Sequence, residues 1–99
     1  MAQPMQSAGE ENYATNMVGL VTEIARALVD SPEIVSVETI EEGDGTILRL
    51  RVASTDIGKV IGKQGRTARS LRTILAAASM KLRHRFSLDI VEGDTAPKA

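Results

Sequence analysis

The chain has no cysteine and no tryptophan, and only one tyrosine, one phenylalanine and one histidine among its 99 residues. Each shortage removes a class of function. Without cysteine there is no disulfide, no thiolate nucleophile and no redox pair, which suits a reducing compartment. A zinc centre needs several His or Cys ligands, and His84 alone does not supply them. Sheets that read nucleic acid by stacking bases need several exposed rings; Tyr13 and Phe86 are too few, and Phe86 is expected in the core. The longest unbroken apolar run, Ile74 to Ala78, is far shorter than the roughly 20 residues that span a bilayer. The opening Met-Ala-Gln-Pro-Met-Gln-Ser has neither a basic nor an apolar region of the signal-peptide kind. A soluble cytoplasmic protein is the expectation.

The length is that of one domain with one modest core. The formal net charge of −1 hides a strong polarity. From Gly58 to Arg85 there are eight basic residues (Lys59, Lys63, Arg66, Arg69, Arg72, Lys81, Arg83, Arg85) and no acid. From Glu10 to Asp44 there are nine acids against Arg26 alone. Such a molecule attracts an anion on one side while staying near neutral overall.

Residues 1–11 are polar and read as a flexible tail. A helix is expected from Asn12 or Thr15, either of which serves as a cap, with Met17, Leu20, Val21, Ile24 and Leu28 as its buried stripe. Asp30-Ser31-Pro32 ends it. Ile34 to Ile40 reads as a strand, Glu41 to Gly45 as a hairpin turn with positive φ at Asp44-Gly45, and Thr46 to Ala53 as the return strand. In that strand Leu48, Leu50 and Val52 share one face; Ile47, Arg49 and Arg51 share the other, towards water or a partner. Ser54-Thr55-Asp56 is expected to cap a short helix over Ile57 to Ile61. A longer helix runs from about Arg66 to Arg83, with Ala68, Leu71, Leu75, Ala78 and Leu82 inward. Phe86, Leu88 and Ile90 alternate in a final strand, and 93–99 is a second flexible tail. The domain is thus 12–92, an α+β fold in the order α-β-β-α-α-β. Its three-stranded mixed sheet carries the helices on one face, the last strand lying parallel to its neighbour after a helical crossover.

The chemistry concentrates between the two later helices, in Ile57-Gly-Lys-Val-Ile-Gly-Lys-Gln-Gly-Arg66. Gly62-Lys63-Gln64-Gly65 is a tight turn in which the backbone can approach a ligand closely, and it feeds a helix N-terminus, where free amides and the helix dipole favour phosphate. Lys63 is the point charge closest to such a phosphate; Gln64 offers an amide donor; Arg66, Arg69 and Lys59 extend the positive wall. Gly58 and Ile61 belong to the same surface, and Ile57, Val60 and Ile61 are candidates for an apolar floor, with Val60 the one expected to enter the core.

Val60-Ile-Gly-Lys-Gln-Gly-Arg66, set between two helices and preceded by a strand, resembles the Ile-Gly-x-x-Gly signature of the KH domain in its type II arrangement. With Asp56 to Lys59 added, and in so short a chain, it is similar to the small single-KH proteins of the YlqC-like (KhpA) family. The resemblance covers about Val18 to Val91. It implies binding of single-stranded RNA, whose backbone KH loops clamp over about four nucleotides. It also implies action as an RNA chaperone or post-transcriptional regulator linked to cell-wall growth and cell shape, and dimerisation with itself or with a second, KhpB-like KH protein. The chain departs from the family in its longer polar N-terminal extension.

Two rival readings stand beside this one. Gly58-Lys-Val-Ile-Gly-Lys63 has the look of a phosphate-hydrolysing P-loop, but it is one residue short and carries Gln64 where a metal-binding Ser or Thr is needed, so no enzyme, cofactor or metal is expected. A protein–protein adaptor built on the same fold, with RNA binding secondary, is the alternative, since open sheet edges invite pairing.

Overall fold

The computed structural model describes residues 9–93, with side chains described from Tyr13 onward. The expected tails fall outside this range except for residues 9–11 and Gly93. Helix α1 spans Gly9–Leu28, strand β1 Ser36–Glu42, strand β2 Gly45–Val52, helix α2 Ile57–Ile61, helix α3 Arg66–Leu82 and strand β3 Arg85–Glu92. The order α-β-β-α-α-β and the mixed three-stranded sheet are those expected.

β2 is the central strand, antiparallel to β1 and parallel to β3. Its alternation decides the layering. Leu48, Leu50 and Val52 are fully buried beneath the helices, while Ile47, Arg49 and Arg51 are half-buried on the outer face. There the arginines engage in pairs across strands: Arg49 Nε lies 3.1 Å from Asp89, its register partner on β3, and Arg51 Nη2 lies 2.9 Å from Glu38 on β1. These contacts are intramolecular, where the sequence left water or a partner open. Phe86 and Leu88 bring β3 into the core, and Val21, Ala25, Leu71 and Leu75 close it from α1 and α3.

Local details differ from expectation for identifiable reasons. α1 starts at Gly9, so Asn12 and Thr15 lie inside it and neither caps it. Leu20 lies about 100° around the helix from buried Val21, and Leu28 is the last helical residue; both are exposed. Pro32 opens a 3-10 turn over Pro32–Ile34, which delays β1 to Ser36. The hairpin pairs Glu42 with Gly45, so its two turn residues are Gly43 and Asp44. The positive φ falls on Gly43, at the first central position as in a type II′ turn, rather than on Asp44-Gly45.

Candidate nucleic-acid interface

The Gly62–Arg66 corner joins α2 to α3 through a single 3-10 turn, Lys63–Gly65. Its backbone is left-handed three times in four residues: Gly62 (φ 81°, ψ 169°), Gln64 (φ 58°, ψ 26°) and Gly65 (φ 75°, ψ 12°). Gly62 N–H donates to Gly58 O (2.8 Å) and Gly65 N–H to Gly62 O (3.0 Å). The amides of Lys63 and Gln64, between them, have no backbone acceptor among the described residues. Two such amides just ahead of a 17-residue helix are of the kind that favours an anion.

The two loop glycines are needed for different reasons. A Cβ on Gly62 would strike Thr67, the second residue of α3, at its Oγ1, Cβ (2.7 Å) and backbone nitrogen (2.8 Å). The missing side chain of Gly62 therefore makes room for the protein's own helix rather than for a ligand. Gly65 has nothing within 4 Å of its Cβ direction; its requirement is the positive φ alone, and its outer face is open. Gly58 is exposed, with the same open space in front of it.

Lys63 and Gln64 are exposed at the tip. Lys63, Arg66 and Arg69 have no ion-pair partner among the described residues. Arg66 Nη2 donates to Gln64 Oε1 (3.2 Å) at the exposed surface, which occupies the carboxamide oxygen and leaves the amide hydrogens available as donors.

Lys59 behaves otherwise. Its ammonium lies 3.3 Å from Asp30 and 3.5 Å from Asp56. Asp56 is the buried half of this cluster and accepts hydrogen bonds from the amides of Asp30 (3.2 Å) and Ser31 (3.0 Å). It makes no capping bond to its own helix, against expectation, because its carboxylate is committed to the α1–β1 connection. Sequence distance hid this, since 26 residues separate the partners. Lys59 and Asp56 thus pin α2, and with it the loop, to the end of α1.

The charges of the pair are shifted accordingly. Burial alone would raise the Asp56 carboxyl, but the Asp30 and Ser31 amides and Lys59 outweigh it and hold it below its ordinary 3.8. The hydrogen-bonded carboxylate of Asp30, and then Asp56, hold the Lys59 ammonium above its ordinary 10.5. A depressed carboxyl stabilises the fold above its unfolded value and loses that contribution as pH falls through the folded value. Asp56→Asn is therefore expected to melt lower than the parent at neutral pH, the gap narrowing as pH is taken below about 3.8. Melting curves of both proteins across the acid range check this; a constant gap would show that the carboxylate charge is not what matters. For Lys59 the sign is reversed: its contribution is present below 10.5 and fades as pH rises through the higher folded value.

Beside the loop lies an open groove of about 520 Å³. Ile61 and Gly65 contribute from the corner, and Ala68, Arg69, Arg72, Thr73 and Ala76 from α3. Of the three expected floor residues only Ile61 lines it; Val60 is fully buried, as expected of it, and Ile57 packs against the core. The rest of the floor comes from small residues of α3. Arg72 continues the three-residue steps of Arg66 and Arg69 along one side of α3, and Thr73 and Ala76, which the sequence reading did not single out, follow Arg69 at the helical spacings of four and seven that put them on the same side. Arg72 is also steadied by donating to Leu88 O on β3 (3.3 Å).

Known proteins resemble this chain. The family described as KhpA/KhpB, KH domain, matches residues 19–90. The chain belongs to this KhpA/KhpB KH-domain family. Its curated relatives include proteins named RNA-binding protein KhpA from Treponema pallidum (54% identical over 74 residues, covering 74% of this chain and 91% of the relative) and from Caldanaerobacter subterraneus subsp. tengcongensis (47% over 72 residues, 73% and 96%). A third, from Halalkalibacterium halodurans, is 47% identical over 76 residues, 77% of this chain and all of the relative. Among solved structures, Era in complex with MgGDPNP and nucleotides 1506–1542 of 16S ribosomal RNA matches with a TM-score of 0.52 at 17% identity, over 77% of this chain and 29% of that one; at this identity the likeness is one of fold. Membership of a KH-domain family agrees with the reading of the chain as a non-enzyme. Among the described residues no helix is long and apolar enough to cross a membrane.

Proposed function

We propose that this chain binds single-stranded RNA by its phosphate backbone at the Gly62–Arg66 corner, with bases directed along the groove beside α3. The observation that carries the reading is the corner itself: exposed Lys63 and Gln64, with unclaimed amides, stand on a left-handed turn at a helix N-terminus and have no carboxylate paired to them among the described residues. Lys63, Arg66 and Arg69 meet phosphates; Gln64 donates to phosphate or sugar; Gly58, Gly62 and Gly65 shape the backbone; Ile61 lines the apolar side. Lys59 belongs to the site through the clamp it forms with Asp30 and Asp56 rather than as a free cation. The names carried by the family's curated members support the ligand class.

Three phosphate contacts predict that log K falls with log salt at a slope of about −2 for a short single strand. Titration of a short RNA at several salt concentrations measures it, and a slope indistinguishable from zero would remove phosphate contact as the basis of binding. Phosphate contact and aliphatic packing, without stacked rings at the groove, give modest affinity and little sequence preference.

In the cell, the reading extends to an RNA chaperone or post-transcriptional regulator in the cytoplasm, linked to cell-wall growth and cell shape and paired with a second copy or a KhpB-like KH protein. The family resemblance is what supports this part. The adaptor alternative keeps one specific observation in its favour: Ile74 and Met80 stand exposed on α3, at 47% and 82%.

A further inference from the structure

The far end of α3 from the loop holds a second cavity, of about 410 Å³, which the loop reading does not use. The two ends are about 25 Å apart along the 17-residue helix. Tyr13, His84 and Phe86, the chain's only tyrosine, histidine and phenylalanine, all line this cavity, together with Glu41, Thr46 and Arg83. A chain so poor in rings has placed every one of them around one space.

Two of the rings are held in defined positions. His84 leans on buried Phe86 with centroids 4.9 Å apart and planes tilted by 56°. Its Nε2 lies 2.8 Å from the hydroxyl of buried Thr46. That hydroxyl has one proton and donates it to the Glu41 carboxylate (3.1 and 3.3 Å), which can only accept. His84 Nε2 therefore carries a hydrogen and donates to Thr46, which fixes the plane of the imidazole. Tyr13 and His84 themselves are only half-buried, and Glu41 is exposed at the rim.

Arg83 adds an independent signal. It terminates α3 in the left-handed conformation (φ 56°, ψ 40°), with His84 N–H closing back on Ser79 O at 3.2 Å. Glycine or asparagine is the residue such a position favours; an arginine there is strained, and strain retained in a cavity wall points to use. Arg83 has no ion-pair partner among the described residues, and exposed Lys81 and Arg85 flank it.

We infer that this cavity is a second binding site, for a nucleotide unit, whose base packs against the Tyr13 and His84 rings, whose exocyclic amino group donates to Glu41, and whose phosphate meets Arg83. The unit is either a free nucleoside monophosphate or one residue of a longer strand. The site stands on its own residues and does not depend on binding at the loop.

With a single tyrosine, histidine and phenylalanine, the aromatic proton spectrum resolves each ring without ambiguity. The full chain is titrated with the four nucleoside monophosphates, with inorganic phosphate and with short and long single-stranded RNA. Saturable movement of the Tyr13 and His84 rings by the adenine, guanine or cytosine monophosphate, and more weakly by that of uracil, which has no exocyclic amino group for Glu41, identifies a free nucleotide; movement only by the longer strand identifies a strand unit. Movement by neither overturns the proposal, as does inorganic phosphate moving the rings as far as a nucleotide does. Two variants sharpen the test. His84→Gln keeps a donor for Thr46 but removes the ring, and Arg83→Gly removes the cation while relieving the left-handed strain. Each is expected to weaken the response about ten-fold, and Arg83→Gly to do so while raising the melting temperature. Unchanged affinity in both variants would sink the assignment. Lys63→Asp combined with Gln64→Asp leaves the monophosphate response intact, so failure at the loop and failure here are told apart.

Discussion

Gly62→Ala is expected to destabilise the protein by roughly 3 kcal/mol or more, with disorder of the loop as the first consequence. Two costs combine. The backbone at φ 81°, ψ 169° lies in a region that is essentially glycine-only. The added methyl would also overlap Thr67, and part of that overlap is with the backbone nitrogen at 2.8 Å, which no side-chain rotation relieves. Adding Thr67→Ala should therefore fail to restore stability. Gly65→Ala is the control: its φ of 75° costs an L-residue about 1–2 kcal/mol, but its Cβ would point into open space. Thermal or denaturant unfolding of the three variants, with hydrogen exchange of the 62–67 amides, measures the ordering. Equal stability of Gly62→Ala and Gly65→Ala would show that Thr67 does not constrain the corner as described.

The second large effect is on binding rather than on the fold. Lys63→Asp together with Gln64→Asp is expected to weaken single-stranded RNA binding by at least about a hundred-fold, since like charge set against phosphate costs several kcal/mol. The fold should tolerate both changes. Lys63 is exposed and has no ion-pair partner among the described residues, and a carboxylate near the N-terminus of α3 suits the helix dipole. Gln64 already occupies a left-handed conformation, which aspartate accepts more readily than most residues. The double substitution removes the Arg66–Gln64 hydrogen bond, which lies at the exposed surface. Fluorescence anisotropy with a short RNA, alongside a melting curve, reads both quantities at once. If the melting temperature held and RNA affinity survived, the adaptor reading would take precedence and the exposed face of α3 would become the surface to investigate.

The two variants separate the glycine that shapes the corner from the side chains that would use it. Gly62 is occupied with the protein's own helix, whereas Gly65 keeps an open face beside the groove. A substitution at Gly62 therefore reports on folding, and weaker binding there would say little about contact with RNA.

What could be known from the residues in order was whatever repeats over short distances. The alternation of Leu48, Leu50 and Val52 with Arg49 and Arg51 set the buried face of β2, because side chains in a strand point to opposite sides in turn. The spacing of Ala68, Leu71 and Leu75 set the inward face of α3, and two helices between strands implied the parallel pairing of β2 with β3. The Gly62–Arg66 motif could be placed between two helices for the same reason. Only tertiary structure decided the rest. It brought Asp30 and Ser31 to Asp56, and Lys59 with them, turning an expected helix cap and an expected free cation into a clamp. It assigned Gly62 to Thr67, took Ile57 out of the groove, and brought the Tyr13 ring to those of His84 and Phe86 around one cavity. Periodicity is a property of local backbone geometry and can be read along the chain; the partner of a buried carboxylate, or of a missing Cβ, is set by which elements pack together.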